Sequence, residues 1–239
     1  MTVYKKFNVR FWWRHGMLPF GIFAVLAWLF AVTDWDLRLS DPFYDPLSGG
    51  WPYKRSWWAG GLIHTGGKYL ILLIGISALL AYAASFARRA WRRWRNPALF
   101  LCLCIGLSTG LVALGKQLSN RHCPWDYDRY GGSVPYAGLF AEPPAECGPG
   151  RCFPAGHASG GFSLMGLYFV ARRKARALAG LGAGVLLGAV FGFGQVARGA
   201  HFASHNLWTA AICWTVSLGL YVWFFPDKVG PGSSLEKSP

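Results

Sequence analysis

The stretch "RRAWRRWRNPALFLCLCIGLSTGLVALGK", Arg88–Lys116, decides the class of fold. Five arginines fall within eight residues, then 19 uncharged residues, Pro97–Gly115, run to a single lysine. About 20 apolar residues in a helix cross the ~30 Å of bilayer hydrocarbon. The segment therefore reads as a transmembrane helix with a basic flank.

The same pattern recurs along the chain. Further spans are expected at Gly16–Val32, Tyr69–Ala87, His157–Ala171, Ala177–Gln195 and Leu207–Phe225, the fourth in chain order short at 15 residues. The expected fold is all-α, a polytopic membrane protein of six transmembrane helices forming a single domain over residues 1–239. The composition agrees, with 53% hydrophobic and only 14% charged residues. A net charge of +14 could point to nucleic acid, but here the excess sits in loops between spans, and no nucleic-acid partner is expected.

Those loops orient the chain. The N-terminus (Lys5, Lys6, Arg10, Arg14), Arg88–Arg95, Arg172–Arg176 and the C-terminal tail share one side. They hold 15 of 24 basic residues and only Asp227 and Glu236 of the ten acids. The positive-inside rule makes that side cytoplasmic, with both termini there. The first span is read as a retained helix, since no small-residue cleavage site follows Val32. The outer side holds loops Thr33–Lys68 and Lys116–Pro154 and the short connection Val196–Asn206. Trp51, Tyr53, Trp57 and Trp58 outside, with Trp91 and Trp94 inside, read as interfacial aromatic belts, and "SWWAGG" could also be a short helix in the outer interface. Cys102, Cys104 and Cys213 lie in spans as small buried hydrophobes. Three cysteines lie in the second outer loop. A Cys147–Cys152 disulfide is expected from the turn residues of "ECGPGRC", with Cys123 pairing to either as the alternative.

Polar groups collect on the outer face. "GKQLSNRHCPWD" supplies Lys116 and Arg121, "FPAGHASGG" supplies His157, and "VARGAHFASH" supplies Arg198, His201 and His205. Each alone has a structural explanation, such as a snorkelling helix-end cation or a capping histidine. Three segments delivering cations and imidazoles to one membrane face point to a site. Three cations and a helix N-terminus, opened at Pro154 and Gly156, suit a phosphate. Two histidines beside it divide into nucleophile and general acid. His201 and His205 also have the i, i+4 spacing of metal ligands, but the stretch between them lacks the glutamate of an HExxH helix.

These segments, Lys116 to His205, resemble the type-2 phosphatidic acid phosphatase superfamily, membrane lipid phosphatases related to vanadium haloperoxidases. The family pattern is KxxxxxxRP, PSGH and SRxxxxxHxxxD. Lys116 and Pro124 keep its spacing, but Cys123 stands where arginine is expected, and Arg121 is the substitute. Ala155 replaces the serine, while Gly156 and His157 stay in register. Aligning His201 on the family histidine puts Gln195 at the arginine, with Arg198 one turn nearer, and His205 at the final aspartate.

The resemblance implies that His201 attacks phosphorus to form a phosphohistidine and that His157 is the general acid. Lys116, Arg121, Arg198 and Gly156 would bind phosphate. His205 could accept a hydrogen bond from the His201 ring and fix its tautomer, or be the nucleophile itself in an alternative alignment. Asp126, His64 and Lys68 are further candidate substrate contacts. No metal or cofactor is implied. The expected reaction is hydrolysis of a lipid phosphomonoester or diphosphate at the periplasmic face of a bacterial inner membrane. The substrate class covers undecaprenyl diphosphate, the lipid A 1-phosphate, phosphatidylglycerophosphate and phosphatidate. A lipid-to-lipid phosphotransferase, or a non-catalytic lipid-phosphate-binding or transport protein, are the alternatives.

Overall fold

The structure is a computed structural model; it describes residues 8–141, 144–171 and 173–226. The expected charges of Lys5, Lys6, Arg172, Asp227 and Glu236 lie outside these residues. Among the described residues, five helices are long and apolar enough to cross a membrane: Val9–Val32 (α1), Trp57–Ala87 (α3), Arg89–Leu118 (α4), Lys174–Ala197 (α6) and Ala203–Phe224 (α7). A short helix, Trp35–Ser40 (α2), follows the first of them, and Gly156–Ser163 (α5) lies between the third and fourth. The chain is thus a multi-pass, all-α membrane protein.

The fourth expected span takes a different form. α5 is continued by a 3-10 turn, Leu164–Gly166, and one further helical turn, Leu167–Val170. It is not among the five long apolar helices, and every residue from Ala158 to Met165 is buried. It lies inside the bundle rather than on its lipid face. Small residues make that burial close. A Cβ on Gly161 would fall 2.4 Å from the backbone nitrogen of Gly188 on α6, so the two helices meet backbone to backbone.

Two sequence expectations change here. α3 begins at Trp57 and not at Tyr69, so "SWWAGG" is the opening of a long helix, and His64 and Lys68 lie within it. Ser56 caps that start by accepting from the Ala59 amide at 3.2 Å. Trp51 does not join an interfacial belt either. It is buried with Tyr127, Tyr130, Val134 and Phe202 in an aromatic cluster over the outer ends of the helices. The reason is Gly199, whose φ of 70° and missing side chain let the Trp51 ring settle where a Cβ would fall 2.3 Å from it.

The outer loops are pinned together. Arg129 donates twice to Asp41, at 2.7 and 3.0 Å, and the Tyr130 hydroxyl donates to the same carboxylate. The second loop closes on itself through a Cys123–Cys152 disulfide, and Cys147 is free, contrary to the Cys147–Cys152 expectation. The physical reason is backbone pairing. The Cys152 amide donates to the Arg121 carbonyl at 2.8 Å and the Gly150 amide to the Asn120 side chain at 2.8 Å. That register lays Cys152 beside Cys123, with their Cα atoms 5.2 Å apart.

Candidate active site

The candidate site is built where α4, α5 and α7 converge at one end of the bundle. Lys116 stands in the last turn of α4, and its ammonium lies over the first turn of α5. A Cβ on Gly156 would sit 3.8 Å from the Lys116 Nζ. α5 opens after Ala155 in extended conformation, so its first amides have no helical partners. The Ala155 turn is tied to α7: its amide donates to the His205 carbonyl at 3.4 Å, and its carbonyl accepts from Thr209 at 3.1 Å.

His201 and His205 face one another, ring Nδ1 to ring Nδ1 at 3.4 Å, the outer limit of a hydrogen bond. Both are buried, 6% and 3% exposed. Burial holds His201 well below the ordinary imidazole range, and the nearby His205 and Lys116 act in the same direction. His201 is therefore neutral at pH 7, with one ring nitrogen carrying a lone pair. The sulfur of Cys152 lies 3.4 Å from the same Nδ1. Cys152, His201 and His205 form a cluster of three ligating atoms within 4.8 Å of one another. The disulfide occupies the Cys152 sulfur, leaving two imidazoles for any ion.

His157, on the first turn of α5, hydrogen-bonds through Nε2 to the Ile63 carbonyl at 3.1 Å, so that nitrogen carries a proton. Its ring stacks on His64, with centroids 4.7 Å apart and planes 24° apart. His64 in turn feels the charges of Arg198 and Lys68. Arg198 is held by two acceptors, the Lys54 carbonyl and the Gln195 side-chain oxygen, each at 3.1 Å. Arg121 acts electrostatically on His205, and its guanidinium donates to the Ala141 carbonyl.

Most of the expected residues are thus brought together: Lys116, Gly156, His157, His201 and His205 directly, with Arg121, Arg198, His64 and Lys68 around them. Asp126 is not. It accepts from the Cys123 amide at 2.9 Å, stands 3.9 Å from His122, and borders a separate polar cavity of about 430 Å³ with Cys147 and Gly150.

Two residues carry weight that sequence reasoning did not give them. Gln195, 3% exposed, presents a side-chain nitrogen with no partner, at the position where the family pattern has arginine. Asp36, on α2, is 6% exposed and accepts from the Ser204 amide at 2.8 Å and the Ser204 hydroxyl at 2.5 Å. It caps α7 one residue before His205. Nothing in "TDWDLRL" distinguishes Asp36 from Asp34, because the cap is made between segments far apart in sequence.

Burial raises the Asp36 carboxyl to about 6, against the donated hydrogen bonds. A carboxyl whose pKa is raised on folding contributes stability that is full below its unfolded value and is lost as pH rises through the folded value. The melting temperature of wild type relative to Asp36→Asn should therefore fall between pH 4 and pH 7. A rise in that difference would contradict burial as the dominant effect. Thermal melts in detergent across this range provide the check.

Cations and imidazoles thus gather at one end of a bundle of apolar helices. A family model places the chain: the PAP2 superfamily matches residues 97–228, and the protein belongs to that superfamily. Its members are phosphatases acting on phosphate esters, often of lipids. No curated protein and no solved structure matches the chain.

Proposed function

We propose that this protein is a single-domain membrane lipid phosphatase that works through a phosphohistidine on His201. The observation that carries the reading is the His201–His205 pair beside Lys116 and the α5 N-terminus. With Nδ1 of His201 turned to His205, Nε2 is the nitrogen free to attack phosphorus. His205 then serves as the orienting partner in place of a carboxylate, and Asp36 fixes the helix turn that carries it.

Lys116, the free amides of α5 and the guanidiniums of Arg198 and Arg121 neutralise the phosphoryl oxygens as the bond breaks. The unpartnered side-chain nitrogen of Gln195 is a further donor to one of them. His157 takes up a second proton beside the bound phosphate and gives it from Nδ1 to the departing oxygen, while Nε2 keeps its own proton on the Ile63 carbonyl. Water then releases phosphate from His201. His64 and Lys68 extend the cationic surface toward the rest of the headgroup. The residues supply the whole step without a metal ion. Phosphate release is therefore expected to persist in excess chelator and to be blocked by vanadate, which mimics the five-coordinate transition state. Loss of release in chelator would replace this mechanism with a metal-dependent one.

An apolar groove of about 570 Å³ supports a lipid over a soluble phosphate. It runs between α1, α4 and α7, lined among others by Phe20, Leu111, Trp208 and Val216. Trp208 packs against Phe153, which packs against His205, so the groove approaches the site from within the membrane. The basic Arg88–Arg95 connection and the positive-inside rule support an outer, periplasmic site in a bacterial inner membrane, with residues 156–170 as a buried sixth crossing. The test is phosphate release by purified protein from the four lipid classes named above. Release from at least one is expected, and release from none would overturn the reading. Label passing to a second lipid would identify a transferase.

A further inference from the structure

We propose that Cys152, His201 and His205 form a latent metal site, kept closed by the Cys123–Cys152 disulfide, which takes a zinc-class divalent ion once that disulfide is reduced. The geometry points to it directly. The Cys152 sulfur and the His205 Nδ1 each lie 3.4 Å from the His201 Nδ1. Ligands about 2.0–2.3 Å from a tetrahedral zinc ion are separated from one another by about 3.3–3.6 Å. All three residues are buried, so the ion would be screened from water on most sides. One thiolate and two imidazoles suit zinc or cobalt, and not calcium or magnesium.

The step balances. A dithiol supplies two electrons and two protons, the Cys123–Cys152 bond breaks into two thiols, and the dithiol becomes a disulfide. Binding of the ion then displaces the Cys152 proton to solvent. The His201 proton moves from Nδ1 to Nε2, and the ion takes the Nδ1 lone pairs of both histidines and leaves its fourth position for water.

This matters for the chemistry. An imidazole bound to an ion through Nδ1 carries its proton on Nε2, which then has no lone pair with which to attack. Loading the site would therefore switch the enzyme off without touching the phosphate-binding cations. The disulfide has a second role beyond closing the outer loop: it withholds the third ligand from an ion that would trap the nucleophile. The inhibitory consequence rests on His201 as nucleophile, whereas the ion site itself does not.

The experiment uses cobalt as the probe, read by the thiolate-to-cobalt charge-transfer band of the full-length protein in detergent. Cys147→Ser serves as the background, so that Cys147 cannot re-pair with a freed thiol. In that background, one equivalent of cobalt should give the band after dithiol reduction, and without any reductant when Cys123→Ser is added. The band should be absent from the oxidised protein and from Cys152→Ser, with or without reductant. Cys123→Ser and Cys152→Ser both lose the disulfide, so a folding fault from that loss would affect them alike. No band in either the reduced protein or the Cys123→Ser protein would overturn the site. An equal band in Cys152→Ser would also overturn it. With zinc at ~tenfold excess over its dissociation constant, phosphate release by the reduced protein should fall about tenfold and return with chelator. Failure of the oxidised, metal-free protein to hydrolyse any lipid phosphate would count against the phosphatase reading alone, because the cobalt band is read without turnover.

Discussion

Replacing His201 with alanine is expected to lower lipid phosphate release by on the order of 10⁴-fold or more, as removal of a covalent nucleophile does elsewhere. The loss should appear in kcat, with substrate still bound, because Lys116, Arg121 and Arg198 hold the phosphate without it. Burial keeps the His201 ring neutral at pH 7, so the nucleophile needs no base to free its lone pair. His205 acts through His201 at 3.4 Å, and His205→Ala should cost less. Asp36 is one step further out, since it touches only the first turn of α7. Asp36→Ala should lower kcat modestly, and Asp36→Asn, which keeps an acceptor for Ser204, should restore most of it. Full activity in His201→Ala would remove the foundation of the mechanism and direct attention to His205.

Gly161→Val is expected to have the largest effect on stability, a loss of about 3 kcal/mol or more from overpacking between two backbones. The Gly188 amide nitrogen lies 2.4 Å from where the first added carbon would go, and a backbone cannot move aside as a flexible side chain can. The helices that would be pushed apart include α5, whose first turn carries Gly156 and His157. Activity and melting temperature should therefore fall together. The readout is thermal unfolding in detergent beside Gly182→Val on the partner helix α6, where an added Cβ meets nothing within 4 Å. Equal behaviour of the two variants would contradict the close α5–α6 contact.

How much of this was legible in the residues depends on the range of the interaction. The apolar runs and their basic flanks are local, so the long helices and the membrane class could be read directly from stretches such as Pro97–Gly115. The clustering of the candidate residues could be read too, because Lys116, His157 and His201 sit at helix ends, where apolar periodicity gives way to polar residues. The start of α3 is not legible: the "HTGGK" polarity resembles a loop, yet the helix runs through it, with Gly67 packed on Phe191 of α6. Of the two disulfide pairings left open by the sequence, the short "ECGPGRC" turn favours the local one, and the structure has the alternative through Cys123. The register between Arg121 and Arg151 decides the pairing instead, and that register is set by tertiary contact. Asp36 was invisible for the same reason, since its partner Ser204 is 168 residues away. Cys152 was recognised as a disulfide candidate, but its approach to His201 appears only once the loop is folded.

The most direct test of the account is acid-free quenching of the enzyme during turnover of a phosphate-labelled lipid, followed by mapping of the label by mass spectrometry. The account predicts an acid-labile phosphohistidine on the peptide containing His201, absent from His201→Ala and retained in His157→Ala with an activated leaving group. Label on His205, or turnover with no labelled histidine, would contradict it.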